Sequence, residues 1–202
     1  MRWRNTWLCL LLAAPAAHPE PAALPALDAR LVQAAIERTR ASVRYDGSYH
    51  RLEYPGGDVP AAIGVCTDVV VRAYRALDID LQQRVHEDMR QAFDRYPPHW
   101  GLQAPDPNID HRRVPNLERF LERQGAGLAV SGQASDYRPG DLVSWRLNGR
   151  LPHIGIVIDQ RVPGTRRYQI VHNIGAGPEV ADVLFAHPIS GHFRWLPEQD
   201  AP

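Results

Sequence analysis

Three residue types that together make an acyl-transfer site occur in this chain: a cysteine at Cys66, a histidine at His153, and a third polar side chain at His172 or Asn173. A cysteine nucleophile needs a base within hydrogen-bond reach, and the base needs a third group to hold its ring. Cys66 lies in Gly64-Val65-Cys66-Thr67-Asp68-Val69-Val70-Val71-Arg72-Ala73-Tyr74, which reads as a tight turn running into a helix with the cysteine in its first turn. At a helix N-terminus the unpaired amides and the positive end of the macrodipole favour a thiolate and can hold an oxyanion. Cys66, Val70 and Ala73 recur at helical spacing, as do Val69, Ala73 and Leu77, so the helix is buried and its tip meets the cleft. The alternative role for Cys66 is that of a small apolar core residue.

The base and its partner need strands. His153 opens the run His153-Ile154-Gly155-Ile156-Val157-Ile158, where the isoleucines share one face and His153, Gly155 and Val157 the other. Tyr168 to Asn173 follows a turn at Pro163-Gly164 and should pair antiparallel with it, bringing His172 or Asn173 to the imidazole. Neighbouring residues in a strand face opposite ways, so register decides between the two.

Residues 1–17 have the three parts of a secretory signal: Arg2 and Arg4, the apolar run Trp7 to Ala14, and Ala14-Pro15-Ala16 as a cleavage site. The run is too short to span a bilayer, so no stable membrane anchor is expected after cleavage. Cleavage removes Cys9 and leaves Cys66 as the only thiol. A lone thiol in an oxidising compartment is a liability unless it reacts, which favours the nucleophile. Residues 18–27 then read as a flexible Pro/Ala tether, and 28–197 as one catalytic domain. All 23 basic residues are arginine, balanced by 23 acids, with no polybasic run, so nucleic acid is not an expected partner.

Within the domain, a first helix is expected from Asp28 as N-cap to about Val43, and a third after Asp80 as N-cap. A fourth is expected from Pro115 to about Arg123, stopped by Gly125. The runs 142–147, 153–159, 168–173 and 192–196 read as strands. Helices first and strands afterwards give an α+β fold with an antiparallel sheet. Tyr54, in a Gly/Pro loop, and Trp100, Asp110, His111 and Arg112, in a long irregular segment, are candidate substrate contacts. Asp68 is another, or an i,i+4 partner for Arg72. His86-Glu87-Asp88 and Asp106 to His111 lack the spacing of a closed metal site, and no metal or cofactor is expected.

In the order of its cysteine helix, His-Ile-Gly-Ile-Val strand and Ile-Val-His-Asn strand the chain resembles the NlpC family of papain-like cell-wall peptidases. That resemblance implies a papain-like (NlpC-type) fold in which Cys66 attacks an amide of peptidoglycan peptides, His153 is the base and His172 orients it. Typical members have an acid before the cysteine and Ser-Gly after it, whereas Val65 precedes Cys66 and Thr67-Asp68 follow. The chain is also similar to an exported bacterial family of domains of unknown function, the DUF1287 type. The shared motifs are Tyr-Pro-Gly-Gly-Asp-Val-Pro, Gly-Val-Cys-Thr-Asp-Val, Asn-Ile-Asp-His-Arg-Arg-Val-Pro-Asn-Leu, Asp-Tyr-Arg-Pro-Gly-Asp, His-Ile-Gly-Ile-Val and Val-His-Asn-Ile-Gly, spread from Arg30 to Trp195. The expectation is an exported, periplasmic or envelope-located hydrolase that cleaves peptidoglycan amides through a thioester. The alternatives are a non-catalytic wall-binding module and an acyl or peptidyl transferase.

Overall fold

The computed structural model describes residues 24–197; the leader and residues 18–23 of the tether lie outside them. Helix α1 spans Ala26–Arg38, so it begins inside the stretch read as tether and ends before the expected Val43. Asp28 is in its first turn rather than at the cap, and Leu31, Val32 and Ala35 form the buried stripe. A two-residue parallel pair, β1 (Arg44–Tyr45) with β2 (Ile63–Gly64), then leads into α2, Cys66–Arg75. Helix α3 covers Leu81–Gln91, capped by the Asp80 carboxylate on the Gln82 and Gln83 amides, as its sequence predicts. Helix α4 covers Val114–Arg123 with proline in its first turn, and Gly125 follows at φ 70°.

The second half forms one antiparallel sheet in the order β6-β5-β4-β3-β7. Its members are β3 (Leu142–Leu147), β4 (Leu151–Arg161), β5 (Tyr168–Asn173), β6 (Pro178–Ala181) and β7 (Ile189–Phe193). The fold is therefore α+β, four α-helices among the described residues with a five-stranded antiparallel sheet. The last expected strand, 192–196, is displaced toward the N-terminus because Trp195 leaves the sheet: it stacks on Tyr74, whose hydroxyl donates to its carbonyl at 2.7 Å.

Strand alternation divides the apolar residues into two cores. Ile154, Ile156, Ile158, Leu142 and Val171 meet α1 to α4 on one face. Val143, Trp145, Val157 and Ile170 pack on the other with Tyr137 and Leu184, which come from irregular segments. Helix α2 is buried along almost its whole length, from Cys66 to Tyr74, so its orientation against β4 is set by packing and its N-terminus is held at one end of the sheet.

Candidate active site

Cys66 is the first residue of α2 and is buried, with 4% of its surface exposed. Its sulfur lies near the backbone amide of Ile154 in β4 and those of Thr67 and of Cys66 itself, each of which favours the thiolate. Three N–H groups therefore converge on one sulfur, the arrangement expected of a helix N-terminus laid against a strand end. Burial outweighs them and pushes the thiol up to about 11. This reverses the expected thiolate: the sequence predicts the amides but not a closed environment around the sulfur.

His153 and His172 are hydrogen bonded, Nε2 to Nδ1, at 2.9 Å, and both rings are buried. The pairing of Ile156 with Val171 and of Val157 with Ile170 puts His172 on the same sheet face as His153. Asn173 faces the helix side instead, its Nδ2 toward the Gly64 carbonyl at 3.5 Å and its Oδ1 accepting the Gly175 amide. Of the two residues between which sequence could not choose, His172 is therefore the one on the imidazole. Gly155 makes the pair possible, since a Cβ there would sit 2.6 Å from Ile170 Cγ2 and 3.1 Å from His172 Cβ. Burial lowers the basicity of both rings, that of His153 to about 3; the charge of His172 also disfavours a proton on His153, and His187 disfavours one on both. Both are neutral at pH 7. Among the described residues no hydrogen bond joins Cys66 to either imidazole; the link is through the strand, because the amide on the sulfur belongs to the residue after His153.

The thiol opens into a cleft of about 240 Å³ walled by Tyr45, Trp100, Arg112, Arg113 and Pro152. Tyr45 is a residue that sequence reasoning missed. The β1–β2 pairing sets it opposite Gly64, beside Cys66; burial and the neighbouring sulfur raise its pKa to about 12, so it stays protonated. A two-residue strand has no periodicity to reveal it.

The expected substrate contacts divide. Trp100 lines the cleft, its ring carrying the Arg113 guanidinium 4.1 Å from the centroid. Asp68 is not available to a ligand: it accepts the Val65 amide at 2.7 Å and two bonds from Arg112, at 2.9 and 3.0 Å. It does not pair with Arg72, which goes to Asp58 at 2.9 Å. Arg112 borders the cleft but its guanidinium is committed, to Asp68 and to the carbonyls of Asp46 and Ser48. His111 is buried with Nδ1 unpartnered, and burial lowers its pKa to about 4. Asp110 is buried beside Asn116, away from the sulfur. Tyr54 packs edge-on against His86 on α3, outside the Cys66 cleft. The 106–113 segment thus builds the wall of the cleft and anchors α2, and most of its polar side chains are used for that.

Residues 32–195 match the family described as Domain of unknown function (DUF1287). The chain is also 46% identical over 187 residues to the "Uncharacterized protein YijF" of Escherichia coli (strain K12), an alignment that covers 92% of this chain and 90% of that one. With a match across nearly the whole domain and a full-length relative at this identity, the chain belongs to the DUF1287 family.

Proposed function

We propose that the protein is an exported cysteine-dependent hydrolase of the NlpC-like, papain-fold class, acting on amide bonds of peptidoglycan peptides. One observation carries the reading: the Cys66 sulfur rests on the amide next to His153, and His153 is itself hydrogen bonded to a second buried histidine. In the proposed cycle His153 donates from Nε2 to His172 Nδ1, which leaves its Nδ1 lone pair to accept the thiol proton as Sγ attacks the carbonyl carbon. The Cys66 amide and the Tyr45 hydroxyl donate to the oxyanion. Collapse breaks the C–N bond, His153 returns the proton to the departing amine, and a water deprotonated by His153 hydrolyses the thioester. Ionising either group alone is opposed by burial. Passing the proton from Sγ to His153 would create opposite charges whose attraction works against that opposition. Export rests on the leader-like residues 1–17.

Incubating the mature protein with isolated peptidoglycan and reading products by mass spectrometry tests this. New amine and carboxyl ends that vanish with Cys66→Ala support it. Binding without cleavage supports the second reading, a non-catalytic wall-binding module, which is favoured by a thiol raised to about 11 beside an imidazole lowered to about 3.

A further inference from the structure

The end of β4 remote from His153 carries a concentration of charge that the balanced composition of the chain, 23 basic against 23 acidic side chains, conceals. A groove of about 650 Å³ there is walled by three arginines, Arg138, Arg161 and Arg166, and no acidic side chain lines it. Strands β4 and β5 fix one of the three. Arg161 is the register partner of Tyr168, and its guanidinium lies 4.2 Å from the centre of that ring. It donates through Nη1 to the Arg166 carbonyl and through Nη2 to the Tyr168 hydroxyl, the latter at 2.9 Å. A guanidinium carries five N–H donors, so Arg161 keeps most of its own for a ligand. The Tyr168 oxygen accepts in that contact and keeps its hydrogen to donate. Arg138 and Arg166 make no side-chain hydrogen bond or ion pair among the described residues. Neighbouring acids are committed elsewhere: Asp136 to Ser131, Asp141 to His192 and Arg194, and Asp182 to Arg167. Asp159, which precedes Arg161 on β4, lies outside the lining and pairs with none of the three. Like charges gathered without a counter-charge repel one another, and an anion that enters relieves the repulsion.

We infer that this groove binds a phosphate monoester, its oxygens taken by the three guanidiniums and the organic part of the ester lying against Leu24, Pro25, Ala134 and Pro139. A carboxylate carries one charge and is matched by a single bidentate guanidinium fork. A phosphate monoester brings close to two charges and three acceptor oxygens, which suits donors from three arginines and a tyrosine hydroxyl. The volume exceeds that of a bare phosphate and falls in the range of ~300–1,000 Å³ that small-molecule sites occupy, leaving space for the rest of the ester. The groove shares no lining residue with the Cys66 cleft. Arg161 also stands eight residues along β4 from His153, roughly 25 Å in an extended strand. The site is therefore separate from the proposed hydrolytic centre, and the inference goes beyond that reading without depending on it. Two sources present the same group, a soluble phosphate ester and a lipid headgroup on a membrane surface.

Calorimetry of the mature protein with glycerol 3-phosphate, against acetate, reads the soluble form, and NMR follows the Arg161 Nε–H during the same titration. Flotation with phosphatidylcholine vesicles, with and without phosphatidic acid, reads the lipid form. Saturable one-to-one binding of glycerol 3-phosphate, about tenfold or more tighter than acetate and with a shift at Arg161, identifies a soluble ester as the ligand. Capture by the phosphatidic acid vesicles alone, with only weak binding of glycerol 3-phosphate, identifies a headgroup. In either case Arg138→Gln/Arg166→Gln should weaken binding about tenfold or more at an unchanged thermal melt, because neither side chain has a partner to lose. Arg119→Gln/Arg150→Gln removes two guanidiniums outside the groove and should leave binding as it is, which separates the groove from surface charge at large. Acetate as tight as the ester, equal losses in the two double variants, or neither saturable ester binding nor vesicle capture overturns the inference. Cys66→Ala should bind as the wild type does. A protein that takes the ester but cuts no peptidoglycan therefore keeps the groove and loses the hydrolase reading, and cleavage without ester binding does the reverse.

Discussion

Replacing Asp68 by alanine should destabilise the protein more than any surface substitution, and the size follows from burial. The Asp68 and Arg112 side chains are 3% and 1% exposed. Removing the carboxylate leaves the guanidinium buried against two carbonyls, Asp46 O and Ser48 O, and leaves the Val65 amide without its acceptor at the start of α2. Breaking a buried pair by deleting one partner costs ~3–5 kcal/mol. For a domain of this size each kcal/mol lowers Tm by about 2–4 °C, so the melt should fall by roughly 6–20 °C. Two controls make the reasoning specific. Arg119→Ala, which breaks a half-exposed pair with Glu122, should cost less than ~1 kcal/mol. The double variant Asp68→Ala/Arg112→Met should recover much of the loss, because the damage lies in the uncompensated charge rather than in the missing attraction. Thermal unfolding followed by circular dichroism reads all three. A single variant within about 3 °C of wild type, or a double variant no better than the single, would refute the argument.

If Tyr45 supplies an oxyanion donor, Tyr45→Phe should lower kcat by about 10²-fold or more at nearly unchanged Tm; an unaltered rate in the peptidoglycan assay removes it from the mechanism. Iodoacetamide labelling of folded protein should accelerate from pH 7 toward the raised thiol value of about 11, and a plateau below pH 8 would show an activated thiolate instead. His153 and His111 are lowered by burial to about 3 and 4, so their contributions to stability are complete above the unfolded value of ~6.5 and are lost as pH falls through that range. Asp110, raised by burial to about 6, works the opposite way below pH 6, but the two histidines outweigh it. Urea midpoints should therefore drop between pH 7 and 4, and less steeply in His111→Leu; a flat profile contradicts the burial argument. Gly155→Ala should cost ~1–3 kcal/mol and disturb the His172 ring, because the added carbon meets Ile170 Cγ2 at 2.6 Å and the Val171 carbonyl at 2.9 Å; a wild-type melt would contradict that close approach.

The parts of this structure that were legible in the sequence are those with long, regular patterns. Helix α3 announces itself through Asp80 and its apolar spacing, α4 through Pro115 and Gly125, and β3 and β5 through runs whose limits the structure reproduces at 142–147 and 168–173. Elements built by tertiary contact were not legible. Strand β6 is an edge strand of four residues containing a proline, a glutamate and an alanine, and β1–β2 exists because the chain must cross beside α2. The candidate site followed the same rule. Cys66, His153 and His172 stand out by residue type, whereas Tyr45 is defined only by what it touches. Asp68 was misassigned because its partner, Arg112, is 44 residues away and no local spacing points to it. The thiol's raised pKa was missed because burial of a helix tip depends on what covers it, and that cover comes from segments distant in sequence.

The Arg112 guanidinium joins the carbonyls at 46 and 48, the first turn of α2 and the cleft wall in one cluster of bonds. The sulfur and that wall therefore move as one rigid body, and the conformational entropy of arranging them is spent during folding rather than at substrate binding. What remains to be ordered when a ligand arrives is the rim around Trp100 and Leu102, exposed by 41% and 36%. Affinity should accordingly respond to changes that stiffen residues 98–104 and, under the proposed hydrolase reading, the rate of the chemical step to changes in the cluster beneath them.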